Sequence, residues 1–332
     1  MKKPLLILAG AGILALLGAF WLLWAGPGPT SEARTIVVEQ GSSVARVAEQ
    51  LEAEGMIRGN AATFRMFARI VGSSDPIQAG EFEIPAGAGA AAILSHLQHG
   101  RPIQRLVTIP EGMPSVLVHE RLMRVPFLAG EVAVPEEGSV LPNTYSYRRG
   151  ETRAAVLKRM QDAMRQELDR LWARRRPTAA VGSPAEAVIL ASIVEKETGK
   201  PSERRMIAGV YSNRLRRGMK LDADPTIIYP ITQGRPLGRP IRRSEIDAVN
   251  GYNTYTRVGL PVGPIANPGR ESIAAVLDPE PTEALYFVAD GTGGHIFSRT
   301  LEEHKRNHDR WRQIREQRAR VQSGQQGAQP TP

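Results

Sequence analysis

The sequence predicts an α+β protein with three parts: a single N-terminal transmembrane helix, a small α+β module and a larger α+β domain. Three observations carry this. The first twenty-five residues are almost wholly apolar. Beyond them, short runs of β-type residues alternate with segments of helical periodicity. The length, 332 residues, accommodates two folded units at roughly 100–200 residues each. Hydrophobic residues make up 42% and charged residues 23%, which excludes a disordered chain and a multi-span membrane protein. With no cysteine, a disulfide framework, thiol catalysis and cysteine-ligated metal are excluded. Forty-three basic against 34 acidic residues leave a net charge of +9. That surplus fits nucleic acid, a lipid surface or an anionic polymer, without choosing among them.

The N-terminus narrows the choice. Lys2 and Lys3 precede an apolar run to Trp24, and no charge follows until Glu32. A membrane span needs ~20 such residues, whereas the apolar core of a cleavable signal has only ~7–15. Residues 5–25 are therefore expected to cross a membrane, with Trp21 and Trp24 at the headgroup level. The lysines place residues 1–4 in the cytoplasm and the rest outside. The alternative is a long signal peptide cut near Ala25 or Ala33. Either way the working part faces outward, so no nucleic-acid partner is expected.

Residues 26–34 are rich in Gly and Pro and form a linker. The module spans 35–104: a strand at 35–38, a turn whose serine caps the next helix, helices over about 44–56 and 61–71, a strand at 81–85 and a helix at 90–98. The larger domain, 105–320, opens with a strand at 106–109. Helices follow at 115–122, 153–174, 184–198 and 202–217, then a hairpin around Asp290–Gly294 and a basic helix capped by Thr300. Residues 321–332 read as a disordered tail.

The helix at 184–198 carries two glutamates near its end, Glu195 and Glu197. At ~100° per residue they lie on opposite faces. Stepping back from Glu197 meets Val194, Ile193 and Leu190, so it belongs to the apolar stripe, while Glu195 is expected to be solvated. Burial and the negative helix end both raise the pKa of Glu197, giving the protonated carboxyl that general acid catalysis needs. A glutamate paired with an arginine in the core is the other reading. Asn213, Arg214, Asp222, Asp224, Thr226 and Tyr229 form a polar stretch in which Asp222 and Asp224, in an extended loop, point the same way; a solvated loop is the default. Tyr252, Asn253, Thr254 and Tyr255 could stack on and hydrogen-bond sugars, or could pack a turn. His295, His304 and His308 lack an acidic partner for metal. No metal and no cofactor is expected.

Leu190-Ala191-Ser192-Ile193-Val194-Glu195-Lys196-Glu197-Thr198 resembles the signature of the YceG-like family, the membrane-anchored endolytic murein transglycosylases of the MltG type. So do Ser202-Glu203-Arg204, Asn213-Arg214-Leu215, Asp224-Pro225-Thr226, Tyr252-Asn253-Thr254-Tyr255, Pro264-Ile265-Ala266-Asn267-Pro268-Gly269 and Tyr286–Asp290 before Gly293-Gly294-His295. The 36–43 segment of the small module resembles a LysM motif, which binds glycans. The match covers nearly the whole chain to Trp311. Leu141 and Asn143 depart from it, where the family usually has an aromatic residue and Asp around Pro142.

The resemblance implies a peptidoglycan (cell-wall) lyase without a cofactor, cutting the β-1,4 bond between N-acetylmuramic acid and N-acetylglucosamine in nascent glycan strands to leave 1,6-anhydro ends. Glu197 is then the catalytic acid and base, and Asn213, Asp224, Thr226, Tyr252, Asn253 and Tyr255 bind substrate. It also implies a place in the cell inner membrane with the catalytic domain periplasmic, beside peptidoglycan synthases. The rivals are a hydrolysing muramidase, with Asp222, Asp224 or Glu203 as second acid, and a non-catalytic wall-binding scaffold.

Overall fold

The computed structural model describes residues 2–326, and its chain divides into two compact units at Arg105, with Ser146–Gly150 belonging to the first. The observed fold is mixed α+β, with small two-stranded sheets among many helices.

The first unit begins with α1 (Lys2–Phe20), which runs directly into a π-helical turn, Trp21–Ala25. Among the described residues no helix is long and apolar enough to cross a membrane. Then come β1 (Arg34–Val38), α2 (Val44–Ala53), α3 (Ala61–Val71), β2 (Gly80–Ile84) and α4 (Ala90–His99). Ser43 and Asn60 cap α2 and α3, accepting the N–H groups of Arg46 and Thr63 at 3.3 and 2.9 Å. The two strand–helix passages are not stacked repeats. β1 pairs with β2 antiparallel, Ile36 opposite Phe82, so one sheet closes over both helices. Its inward residues, Ile36, Val38, Phe82 and Ile84, pack with Leu51, Phe64, Ile93 and Leu97.

Two expectations are corrected here. Trp24 does not face outward to lipid but is buried in this core, edge-on to Phe64 at 5.6 Å. The 26–34 stretch is not a free linker: Gly28 N–H donates to the Gly87 carbonyl, Gly87 N–H to that of Thr30, and Arg58 to that of Pro27. A tryptophan next to Gly and Pro reads as an interface residue plus a spacer only if nothing nearby offers a pocket, and α3 and α4 offer one.

The second unit contains most of β3 (Arg105–Thr108), which pairs with β4 (Thr144–Tyr147), and α5 (Ser115–Arg124), α6 (Arg153–Trp172), α7 (Pro184–Glu197), a 3₁₀ turn (Pro201–Glu203), α8 (Arg204–Arg216), α9 (Asp224–Thr232), α10 (Arg243–Ile246) and α11 (Arg270–Leu277). β5 (Tyr286–Ala289) and β6 (His295–Ser298) form the expected hairpin, and α12 (Leu301–Gln326) follows. Thr300 caps α12, accepting Glu303 N–H at 3.2 Å. The expected tail at 321–332 is helical to Gln326, and its remainder lies outside the described residues. The sequence reading has no counterpart for β4, α9, α10 or α11.

α7 is the axis of this unit, packed by α6, α8, α9 and α11. Ser183 caps it through Glu186 N–H, and Pro184 opens it in the first turn, where its missing N–H costs nothing. Ala187, Leu190, Ala191, Ser192, Ile193 and Val194 are all buried. The middle of the helix is therefore buried nearly all round and carries no broad polar face, and this decides the fate of its two glutamates.

Candidate active site

Glu197 is the last residue of α7; Thr198 turns into extended backbone (φ −137°, ψ 132°) and ends the helix. The carboxyl is half-buried, and its pKa is pushed up to about 7. Burial is the main cause. The Tyr211 hydroxyl favours the ionised form, the negative charge of Asp224 disfavours it, and the Arg214 guanidinium favours it. Burial wins because neither favourable group neutralises it. Arg214 is itself spent on the carbonyls of Leu285 (2.6 Å) and Leu221 (2.7 Å) and on Asp222 (3.3 Å). Tyr211 and Arg214 sit three residues apart on α8 and so share a face.

Glu195 behaves differently from expectation. Its side chain is only 6% exposed, pairs with Arg204 at 3.4 Å and accepts Gly269 N–H at 2.9 Å. The loop 264–269 covers that face of α7, and Ser192 on the same face accepts Ile265 N–H. Glu195 is thus the arginine-paired core glutamate, and Glu197 is the unneutralised one.

Asp222 and Asp224 do not form one side of an extended loop. Asp222 has φ +49° and faces Arg214, whereas Asp224 opens α9 and accepts the Tyr255 hydroxyl at 2.7 Å. Pro225 within the first turn favours this helix start, a signal present in Asp224-Pro225. Tyr255 is half-buried, its hydroxyl pKa driven well above the ordinary value by burial.

Three of the residues assigned to substrate hold the frame. Asn253 is fully buried; its amide donates to the carbonyls of Ala248 (2.7 Å), Ile246 (2.9 Å) and Glu245 (3.3 Å). Thr226, also fully buried, bonds the Thr254 hydroxyl at 2.9 Å and stitches α9 to the 252–256 loop. Asn213 donates to the carbonyls of Thr282 and Ala284. Their polar atoms are engaged within the chain, whereas Asp224 is exposed and Tyr252 and Tyr255 are only partly buried, which leaves these three open to a ligand.

A second perturbed carboxyl escaped the sequence. Glu137 is half-buried and its pKa is raised by burial, against hydrogen bonds from Ser115 N–H and the Tyr229 hydroxyl. The Tyr229 ring meets Tyr252 at 4.9 Å, so Glu137 reaches the site through two aromatic rings. Gly138 beside it (φ +77°) admits no side chain, since a Cβ would lie 2.8 Å from Val188. The departures Leu141 and Asn143 add no charge: Leu141 is buried, and Asn143 accepts the N–H of Thr144. Glu203 is held below the ordinary carboxyl range. Burial alone would raise it, but His295 at 2.7 Å and Lys200 outweigh that. It is an ionised structural partner.

The chemistry available is therefore one carboxyl, protonated near neutrality, within electrostatic reach of Asp224, Tyr211 and Tyr255.

Known proteins are similar to this chain. The YceG-like family model matches residues 36–310. The endolytic murein transglycosylase of Bacillus subtilis (strain 168) is 27% identical over 310 residues, covering 83% of this chain and 84% of its own length. That of Streptococcus pneumoniae (strain D39) is also 27% identical, over 322 residues, covering 82% of this chain. The chain spans 57% of the length of that streptococcal relative. A crystal structure of a yceG-like protein from Listeria monocytogenes superimposes with a TM-score of 0.51 at 26% identity, covering 83% of this chain and 98% of the other. With the family model matching most of its length, the chain belongs to the YceG-like family.

Proposed function

We propose that the chain is an endolytic peptidoglycan lytic transglycosylase in which Glu197 acts first as acid and then as base. The observation that carries this is the half-buried Glu197 carboxyl with a pKa near 7 at the end of α7, in a chain whose relatives bear that activity in their names. Glu197 gives its proton to the glycosidic oxygen as the bond to the muramyl C1 breaks. The carboxylate so formed removes the proton of the C6 hydroxyl, whose oxygen closes on C1 to give the 1,6-anhydro ring. Glu197 ends the cycle protonated, as it began, so no second carboxylate nucleophile is needed, unlike in most glycosidases. Tyr252 and Tyr255 offer ring faces to the sugar, and Asp224 helps to hold the Glu197 proton. Asn253, Thr226 and Asn213 keep these groups in place.

The same reading sets the chain at the outer face of the inner membrane, on nascent strands beside peptidoglycan synthases, where cleavage ends glycan elongation. Support for an anchor comes from the apolar run of residues 5–25, which has the ~20 residues that a span needs. Its Ile7, Leu8, Ile13, Leu14, Leu16 and Leu17 are exposed. The β1-α2-α3-β2 order with antiparallel strands supports a LysM-like glycan-binding role for the first unit.

Uncrosslinked glycan digested with the protein and weighed by mass spectrometry tests the reaction. The expected fragments lack one water relative to hydrolytic ones and vanish with Glu197→Gln. Fragments carrying that water would mean a muramidase, and binding without release a scaffold.

A further inference from the structure

We propose that helix α3 of the first unit lies on the anionic lipid surface beside the anchor helix, so that the module is docked to the membrane and not merely tethered to it. This rests on the reading of α1 as a membrane anchor.

α3 has two unlike faces. Ala61 and Phe64 are buried in the module core, with Phe67 packed against it. The opposite face leaves Met66 at 49% and Ile70 at 69% exposed, one turn apart, and Val71, the last residue of the helix, is 52% exposed. Large apolar side chains in a row on a surface helix need a partner. Exposed Arg65 and Arg69 run along one edge of that face, and exposed Arg58 lies just before the helix. No carboxylate pairs with these three among the described residues, where Arg58 donates only to the Pro27 carbonyl. An apolar strip edged by arginines and free of acidic groups is the pattern of a helix lying in a membrane interface. The neighbouring α2 is the contrast: its exposed positions include Glu49 and Glu52, which an anionic surface repels.

The position of α3 supplies the second argument. α1 is continuous with Trp21–Ala25, and that turn packs against α3 and α4. The Phe20 ring meets Phe67 edge-on at 5.2 Å, and Trp24 meets Phe67 at 5.8 Å. Phe20 ends α1, so with α1 across the bilayer the residue that touches it stands at the boundary of hydrocarbon and headgroups. Ile70 and Val71 lie one turn beyond Phe67 on α3. Trp21, 57% exposed, is free to sit at the same level. Lipid is the occupant that fits an apolar strip, unpaired arginines and contact with a spanning helix together.

The absence of cysteine makes the test clean. Single cysteines in place of Leu14, Ile70 or Glu49 carry an NBD fluorophore on the full chain, reconstituted in vesicles of phosphatidylglycerol and phosphatidylcholine. The expected result is that probes at 14 and 70 are quenched by nitroxide-labelled lipid and shielded from aqueous iodide, while the probe at 49 is the reverse. Replacing Arg65 and Arg69 together by Glu, or using phosphatidylcholine alone, should release the probe at 70. Each interfacial arginine is worth about fivefold, so losing both lowers the docked-to-undocked ratio at least roughly thirtyfold. A probe at 70 open to iodide while that at 14 is lipid-quenched overturns the docking and leaves the anchor standing. Failure at both positions removes the anchor reading and the docking with it. A probe at 70 shielded from iodide yet untouched by nitroxide lipid means a protein surface covers α3, which also overturns the proposal.

Discussion

Two carboxylates two residues apart on α7 have opposite fates. Glu195 is enclosed, yet Arg204 and the Gly269 N–H meet it, and it is a structural ion pair. Glu197 retains some access to solvent, yet nothing neutralises it, and its pKa rises to about 7. Burial alone therefore does not keep a carboxyl protonated; burial without a dedicated counter-charge does. The neighbours refine the balance, with Tyr211 and Arg214 lowering and Asp224 raising the proton affinity.

The largest expected effect separates the pair by activity. Glu197→Gln should reduce kcat by about 10²–10⁴-fold, the usual worth of a general acid–base, whereas Glu195→Gln should leave kcat within a few-fold. Steady-state release of soluble fragments checks both. Equal losses would erase the distinction.

Stability should separate them in the opposite direction. The folded-state pKa of Glu197 lies above the ordinary carboxyl value of 4.5, so folding favours its protonated form. The native chain keeps its full stability below about pH 4.5 and loses part of it as pH rises through about 7. Glu197→Gln should therefore be more stable than the native chain at pH 8, by as much as roughly 3 kcal/mol, with the gap closing near pH 4. Glu195→Gln should instead cost about 1–3 kcal/mol, since it weakens a buried charged hydrogen bond. Denaturant melts at the two pH values read both signs.

Smaller shifts sharpen the balance. Tyr211→Phe removes a group that favours the ionised carboxyl, so the alkaline fall of kcat/KM should move to higher pH. Asp224→Asn removes a negative neighbour and should move it to lower pH. Shifts in the same direction would contradict the arrangement.

The two glutamates also mark how far the sequence could be read. The strands at 35–38 and 81–85, the helices over 61–71 and 184–198, and the 286–298 hairpin were legible from alternation, helical spacing and caps. A helical wheel places Glu197 on the apolar stripe and Glu195 in solvent; Glu195 is enclosed because the loop 264–269, distant in sequence, covers its face of α7. The short helices α9 and α11 lack length for a periodic signal, and α9 was hidden although Asp224-Pro225 opens it. Trp24 looked interfacial because the pocket between α3 and α4 is built from residues distant in sequence. Glu137 was invisible for the same reason: its burial depends on Ser115, Tyr229 and Asn267. Asn253, Thr226 and Asn213 were recognised as special, but only their hydrogen bonds show that they build the loops.

The central claim is that Glu197 carries its proton at neutral pH. An infrared titration of the full chain, with the Glu197→Gln spectrum subtracted, isolates that one carboxyl band. A protonated C=O band that disappears with a midpoint near pH 7 is the predicted result. A midpoint near 4.5, the ordinary carboxyl value, would contradict it.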